Sequence, residues 1–319
     1  MFEYPFIDRE EELGVLRDYA ENGFYPVLFI YGPEGCGKTR LLREFISSIE
    51  EPGDYITVYL DAQSVGSFEE AVCAPPVVLE TFSTAAGAIS EPVGRFVARV
   101  LPLVVKKVFE RKLRGRRVVI AVDDVARPLG VDVIESYAKK LLDLLEWLMA
   151  RGAESVLIIA TTSEGSSPSI LARHSYVVLS ELWNLSRDST EKLLEALNAP
   201  EKLYEKVWVL TGGNPRAVIS IAAKRWKVDV WFSEVVRNVR LSSRSIVFRY
   251  RSQLRYVVED IDRVIEFPDL EKGLIEANLI VPVNRPCLGY TPLPDEELGI
   301  GEYYAWQIPA YRSALRECL

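Results

Sequence analysis

The stretch Val27-Leu28-Phe29-Ile30-Tyr31-Gly32-Pro33-Glu34-Gly35-Cys36-Gly37-Lys38-Thr39-Arg40-Leu41-Leu42-Arg43-Glu44-Phe45-Ile46 decides the fold. Its first five residues are apolar, the signature of a parallel strand buried on both faces. Its last part sets Leu41, Leu42, Phe45 and Ile46 at helical spacing. Between them stands Gly-x-x-x-x-Gly-Lys-Thr, and strand, loop and helix in that order are the context in which this motif cradles phosphate. Glycine at 35 and 37 permits backbone conformations that a side chain blocks, so successive N–H groups and the helix N-terminus can surround phosphate oxygens. Gly32, Pro33, Glu34, Cys36 and Arg40 complete the candidate cradle. Lys38 is expected to reach the β- and γ-phosphates and Thr39 to hold Mg²⁺.

Such a loop needs a carboxylate at the end of a second buried strand. Val118-Val119-Ile120-Ala121-Val122-Asp123-Asp124 supplies it: Asp123 is the expected magnesium ligand and Asp124 the group that orients or deprotonates the attacking water. Two aspartates can also simply cap a following helix. Further strands are expected at Tyr55–Asp61, at Ser155–Ser163 and at Tyr176–Leu179. A strand inserted between the phosphate loop and the aspartate pair is the order of the additional-strand branch of phosphate-loop ATPases. The polar tip of the fourth strand then falls beside the γ-phosphate, with Thr162 the chosen sensor and Thr161 and Ser163 next to it; a turn also favours such residues.

Composition removes most alternatives. The chain has 319 residues, a net charge of −8 and a single histidine, His174. One histidine without a serine-elbow or cysteine motif nearby excludes the common hydrolase triads. Cys36, Cys73, Cys287 and Cys318 form no Cys-x-x-Cys pair, which excludes a zinc site, and a disulfide among them stays open. No apolar run approaches the ~20 residues of a membrane helix, and no leader peptide is visible at the N-terminus, so a cytoplasmic protein without a membrane partner is expected.

On these motifs the sequence resembles the archaeal ATPases of the STAND and AAA+-like group. Phe6-Ile7-Asp8-Arg9-Glu10-Glu11-Glu12-Leu13 is similar to that group's Arg-Glu-x-Glu-Leu box, and Leu210-Thr211-Gly212-Gly213-Asn214-Pro215-Arg216 to its Gly-x-Pro motif. The resemblance implies an α/β phosphate-loop NTPase core with a five-stranded parallel sheet, then a helical lid and a winged-helix-like domain. It implies ATP and ADP as the nucleotides and Mg²⁺ as the metal. It implies that the Phe6-Ile7 backbone and Pro215 hold the adenine from opposite sides, that Arg216 meets the phosphates, and that Arg173 serves a neighbouring subunit as an arginine finger. Read without the family, these places are a helix start, a turn before a proline-initiated helix and a solvent-exposed arginine. Asp124 stands where relatives usually carry glutamate, which implies slow turnover.

The expected organisation is an ATPase core over 1–184, a lid over 185–228 begun by Ser186 as an N-cap, and a tail over 229–319. The long crossover from Ala62 to Arg117, with a helical pattern at Val93–Arg111, is expected to cover the sheet. The tail reads as a helix over Arg255–Glu266, a second over Leu270–Ala277, then short strands. Arg237, Arg240, Arg244, Arg249, Arg251 and Arg255 form a run without an acid. Two partners are expected for the tail: duplex DNA, contacted at phosphates by this run, or a protein, including self-association or autoinhibitory docking. The overall expectation is a slow Mg²⁺-dependent ATP-hydrolysing switch, with a DNA-associated ATPase of the replication-initiator or loader type as the alternative.

Overall fold

The computed structural model describes residues 4–49, 54–61, 113–124, 134–162 and 167–319. The expected helix at Val93–Arg111, Cys73 and Ser163 lie outside these residues. The chain forms two compact units: Glu12–Tyr31 with Lys38–Ser180, and Met1–Glu11 with Gly32–Gly37 and Glu181–Leu319.

The first unit is built on a sheet. β1 (Val27–Tyr31), β2 (Tyr55–Asp61), β3 (Arg117–Asp123), β4 (Ser155–Thr161) and β5 (Val177–Glu181) form a five-stranded parallel sheet in the order β2-β3-β4-β1-β5. All residues of β1 and β4 are buried, as in a sheet covered on both faces. α1 (Glu10–Asn22) precedes β1 and α2 (Lys38–Ile49) follows the phosphate-loop motif. α2 buries Leu41, Leu42, Phe45, Ile46 and Ile49, a stripe at three- and four-residue spacing. α3 (Ile134–Ala150) does the same with Ile134, Tyr137, Ala138, Leu141, Leu144, Leu145 and Leu148, which join Val118, Ile120, Val122, Val156 and Ile158 in the main core. At ~1.5–3 kcal/mol for each large apolar side chain taken from water, this layer is the dominant stabilising term of the unit. A short helix, α4 (Ser167–Leu171), leads to β5. The fourth strand stops at Thr161, earlier than the sequence pattern implied. The fifth is shifted to Val177–Glu181; the Tyr176 carbonyl just before it accepts from Val27 N–H at 3.4 Å, and the Glu181 carbonyl at its end accepts from Leu288 N–H at 2.7 Å.

The second unit is mainly helical. α5 (Arg187–Ala196) starts where Ser186 caps it, its hydroxyl accepting from Ser189 N–H. A 3₁₀ turn (Glu201–Leu203), α6 (Tyr204–Thr211) and α7 (Pro215–Ala223) follow. α8 (Val228–Ser242), α9 (Arg244–Val257), a 3₁₀ segment (Ile261–Glu266), α10 (Pro268–Glu276), β6 (Ile280–Pro282), β7 (Tyr304–Trp306) and α11 (Pro309–Arg316) complete it, β6 and β7 pairing antiparallel. The helix expected over Arg255–Glu266 is broken at Val258–Asp260. The Asp260 side chain accepts from Asp262 N–H and starts a 3₁₀ segment in place of a continued α-helix. One apolar cluster gathers Leu193, Val207, Val218 and Trp231, another Leu254, Val264, Leu270, Leu274 and Leu315; Phe232, Val235 and Tyr311 pack on both. These three side chains bridge the two clusters, which lie on either side of the expected boundary at residues 228 and 229.

Candidate functional site

The phosphate-loop motif occupies Gly32–Gly37, between β1 and α2. Its conformation is one only glycine adopts easily: φ is +86° at Gly35 and +109° at Gly37. At Gly35 a Cβ would also lie 2.6 Å from the Arg216 Cβ, so the absence of a side chain lets α7 approach the loop backbone.

Within the helical unit, side chains from three separate stretches grip this loop. Arg9, 4% exposed, donates to the Cys36 carbonyl at 2.9 Å and to the Trp183 carbonyl at 2.8 Å. Asn214 donates to the Glu34 carbonyl and to Asn184 Oδ1, both at 2.9 Å, while its own Oδ1 accepts from Ala217 N–H and caps α7. The Arg216 N–H donates to the Gly35 carbonyl at 3.3 Å. Three successive carbonyls, of Glu34, Gly35 and Cys36, are thus held by donors from this unit. Since N–H and C=O of a planar trans peptide point oppositely, the N–H groups of Gly35 and Gly37 are turned the other way. The Cys36 N–H instead returns to the Pro33 carbonyl at 3.2 Å.

The Glu34 side chain is the meeting point of lid and tail. Its Oε1 accepts from Arg216 Nη1 and its Oε2 from Asn278 Nδ2, each at 2.7 Å. Gln307 Oε1 accepts from the Glu34 N–H at 2.6 Å, and Gln307 Nε2 donates to Asn278 Oδ1 at 2.6 Å. Gln307 and Asn184 are each 2% exposed, so these amides are inside the protein and committed to the network.

In the sheet unit, the C-terminal strand tips collect the other candidates. Asp123, 3% exposed, accepts from Thr161 Oγ1 at 2.6 Å on one oxygen and from the Tyr59 hydroxyl at 2.9 Å on the other. Thr161 Oγ1 also accepts from Asp124 N–H at 2.8 Å, which fixes Asp124 in the left-handed region at φ +53°. Arg43 of α2 donates to the Tyr59 hydroxyl at 3.2 Å and stacks over its ring. Burial and the adjacent Asp123 carboxylate push the Tyr59 phenol far up, so it stays a donor to Asp123. Thr162 is fully buried, its N–H bonded to the Ile30 carbonyl at 3.1 Å. Lys38 is buried at the start of α2, and Thr39 beside it is exposed. Arg40 pairs with Glu44 along the same helix at 2.8 Å. The Asp123 carboxylate and the exposed Thr39 hydroxyl are hard oxygen donors of the kind Mg²⁺ takes, a metal that uses few protein ligands and completes its shell with phosphate and water.

The remaining candidates are dispersed. Phe6 and Ile7 are half-buried, Ile7 against the cluster containing Ala217 and Val218, and Pro215 is half-buried at the first position of α7. Asp8 is bonded to Lys192 at 2.6 Å, which lowers its carboxyl pKa. Arg173 is exposed on the turn after α4. His174 stacks on Tyr176 and faces Glu135 at 3.5 Å. Cys36, Cys287 and Cys318 carry no disulfide among the described residues. No described helix is long and apolar enough to cross a membrane.

The functional residues missed from sequence are those of the network. Asn184, Asn278 and Gln307 stand outside any motif. Asn278 has a local signal, an asparagine just past a helix end, where it adopts φ +55°. Tyr59 and Arg43 had none beyond their positions on β2 and α2.

A family model described as an ATPase domain predominantly from Archaea matches residues 6–221. An uncharacterized ATP-binding protein of Pyrococcus horikoshii is 22% identical over 308 residues, covering 86% of this chain and 92% of that protein. Another, of Pyrococcus abyssi, is 39% identical over 59 residues, only 18% of this chain and 17% of its own length. Among solved structures, AMPPCP-bound DnaA from Aquifex aeolicus is similar at 18% identity and a TM-score of 0.41, covering 74% of this chain and 71% of that one. The family match begins just before Arg9 and ends within α7, and so takes in the loop, the aspartate-tipped strand and the lid side chains that hold the loop. The chain belongs to this predominantly archaeal family of ATPase domains.

Proposed function

We propose that the protein is a magnesium-dependent switch that binds and slowly hydrolyses ATP, its nucleotide state read by the lid and tail. The observation that carries this reading is the Glu34 network: an anionic side chain of the phosphate loop holds one cation of the lid, Arg216, and one amide of the tail, Asn278. Nucleotide phosphate offers Arg216 a stronger anion than Glu34 and offers the Glu34 N–H an acceptor other than Gln307. Binding then draws on the same groups that tie the tail to the loop, which is how a local charge change reaches a distant element.

Under this reading Lys38 neutralises the β- and γ-phosphates, and the loop N–H groups of Gly35 and Gly37 donate to phosphate oxygens. Thr39 and Asp123 hold the metal, which when bound screens phosphate charge. Asp124, kept in place by Thr161 Oγ1, orients the attacking water and accepts its proton. Thr162 senses the γ-phosphate, Phe6, Ile7 and Pro215 hold the base, and Arg173 acts on a neighbouring copy. The lid and a winged-helix-like tail are the moving parts.

Calorimetric titration with Mg-ATP tests the core of the proposal. Lys38→Ala is expected to abolish binding, whereas Asp124→Asn keeps binding and slows phosphate release. Unchanged ATP affinity in the Lys38→Ala protein rejects the site assignment.

A further inference from the structure

The acid-free segment between Val235 and Val258 forms the end of α8 and all of α9, and its helical bonding continues across Ser243, whose N–H reaches the Val239 carbonyl and whose carbonyl receives Val247 N–H, both at 2.8 Å. One face is committed inward: Val239, Ser243, Ile246, Leu254 and Val257 are buried in the tail core. On the exposed side Arg244 and Phe248 lie four residues apart in the first half of α9; Leu241 precedes the junction at Ser243, and Arg251 and Arg255 follow a kink at Tyr250 (φ −121°, ψ 26°), so the exposed stripe bends at both places. Arg237, Arg240 and Arg249 flank it, and all six arginines are exposed. Among the described residues none of the six pairs with an aspartate or glutamate side chain; Arg251 donates to the main-chain oxygen of Leu319, and Arg249 lies over the Tyr250 ring.

The unusual member is Phe248, 92% exposed, with Leu241 72% exposed before it in the sequence. An aromatic ring standing almost entirely in water gains little in the folded chain, and here its neighbours in the sequence include the exposed arginines Arg244, Arg249 and Arg251. We propose that this stripe binds single-stranded nucleic acid, the arginines taking backbone phosphates and Phe248 stacking on an unpaired base. The two chemistries are what a single strand offers together: phosphates at regular intervals and exposed base faces. A duplex offers the phosphates but hides the faces, and α10, the second helix of the tail pattern, carries Asp269, Glu271 and Glu276 against Lys272, a charge balance unsuited to a groove. An anionic membrane would need a continuous apolar face. Here Phe248 and Leu241 belong to separate helices, α9 and α8, with Arg244 between them in the sequence. Nothing in the nucleotide reading uses these residues.

The test is fluorescence anisotropy of the full chain, without ATP, against a labelled mixed-sequence single-stranded 20-mer, the matching duplex, and vesicles of anionic phospholipid. Expected are preference for the single strand and a steep loss of affinity with salt. Phe248→Ala, a surface change that leaves the core intact, is expected to weaken single-strand binding about tenfold and duplex binding little. Arg244→Gln and Arg255→Gln are each expected to lower the slope of log affinity against log salt by about 0.7. No binding at low salt, equal affinity for duplex with Phe248→Ala silent, or binding confined to vesicles each overturns the proposal. Lys38→Ala separates the two readings, since it is expected to lose ATP and keep the oligonucleotide.

Discussion

The Glu34 carboxylate and the Arg216 guanidinium meet at 2.7 Å, a pair joining the second variable position of the phosphate loop to the first turn of α7. The side chain of Arg216 is 66% exposed, so the pair itself is worth at most ~1 kcal/mol, and its interest lies in what else Arg216 can bind. If phosphate competes with Glu34 for this cation, Glu34→Gln is expected to raise ATP affinity by up to about fivefold, and Arg216→Ala to lower it. Titration calorimetry of both variants checks the sign. Parallel losses in the two show that Glu34 supports binding and does not oppose it.

Gln307 gives a sharper separation. Removing its amide takes this partner from the Glu34 N–H and Asn278 Oδ1, both only partly buried, at a cost of about 0.5–1.5 kcal/mol for each lost bond. Gln307→Ala is therefore expected to lower the denaturation midpoint of the nucleotide-free protein. The stabilisation gained on adding ATP should increase, because the Glu34 N–H is released to phosphate. Denaturation curves with and without Mg-ATP measure both effects in one experiment.

Thr161 joins the two aspartates through one hydroxyl. Thr161→Val keeps the shape and removes both bonds. Phosphate release is expected to fall by about tenfold or more, as for a misplaced catalytic group, with ATP affinity changed little. Magnesium dependence should also weaken, because one oxygen of Asp123 loses its fixed orientation. Comparing release rates across a magnesium titration distinguishes this from simple unfolding.

Cys287 is buried beside Glu181, its thiol 3.6 Å from the carboxylate. Burial and that carboxylate push the thiol pKa well up, so at pH 8 the protonated form dominates in the folded chain and the nucleophilic thiolate is withheld. A disulfide-exchange reagent at pH 8 is expected to spare Cys287 in the native protein and to modify it after denaturation. Comparison with Cys287→Ser identifies the thiol, and rapid native modification at this position contradicts the assignment.

The sheet was legible because its signals are local. Five apolar residues before Gly32 and five before Asp123, strand-length and closed by a turn or an aspartate, read as strands with both faces covered, and the loop between strand and helix is spelled out residue by residue. The lid start was readable at Ser186 for the same reason, since a cap acts over three residues. The network was not legible because its partners are distant in sequence: Gln307 reaches Glu34 across 273 positions and Asn278 across 244. An asparagine or glutamine carries no periodic pattern, and its role appears only when folding brings a partner to it. The broken helix near Asp260 was missed for a different reason, as one side-chain bond to Asp262 N–H outweighed an unbroken apolar spacing.

Asn214 places the strictest demand on chemistry in this unit. Its oxygen starts α7 and its nitrogen binds both the Glu34 carbonyl and Asn184. Aspartate keeps the cap but brings a negative charge to two oxygens that need a donor. Serine is a good cap with too few hydrogens and too short a reach, and glutamine moves both atoms by a methylene. No other natural side chain supplies an acceptor and a two-hydrogen donor at this length, so the position has no conservative neighbour in the amino-acid alphabet. A saturation library at residue 214 should retain asparagine alone among fully active clones, while the exposed Arg216 two residues on tolerates lysine.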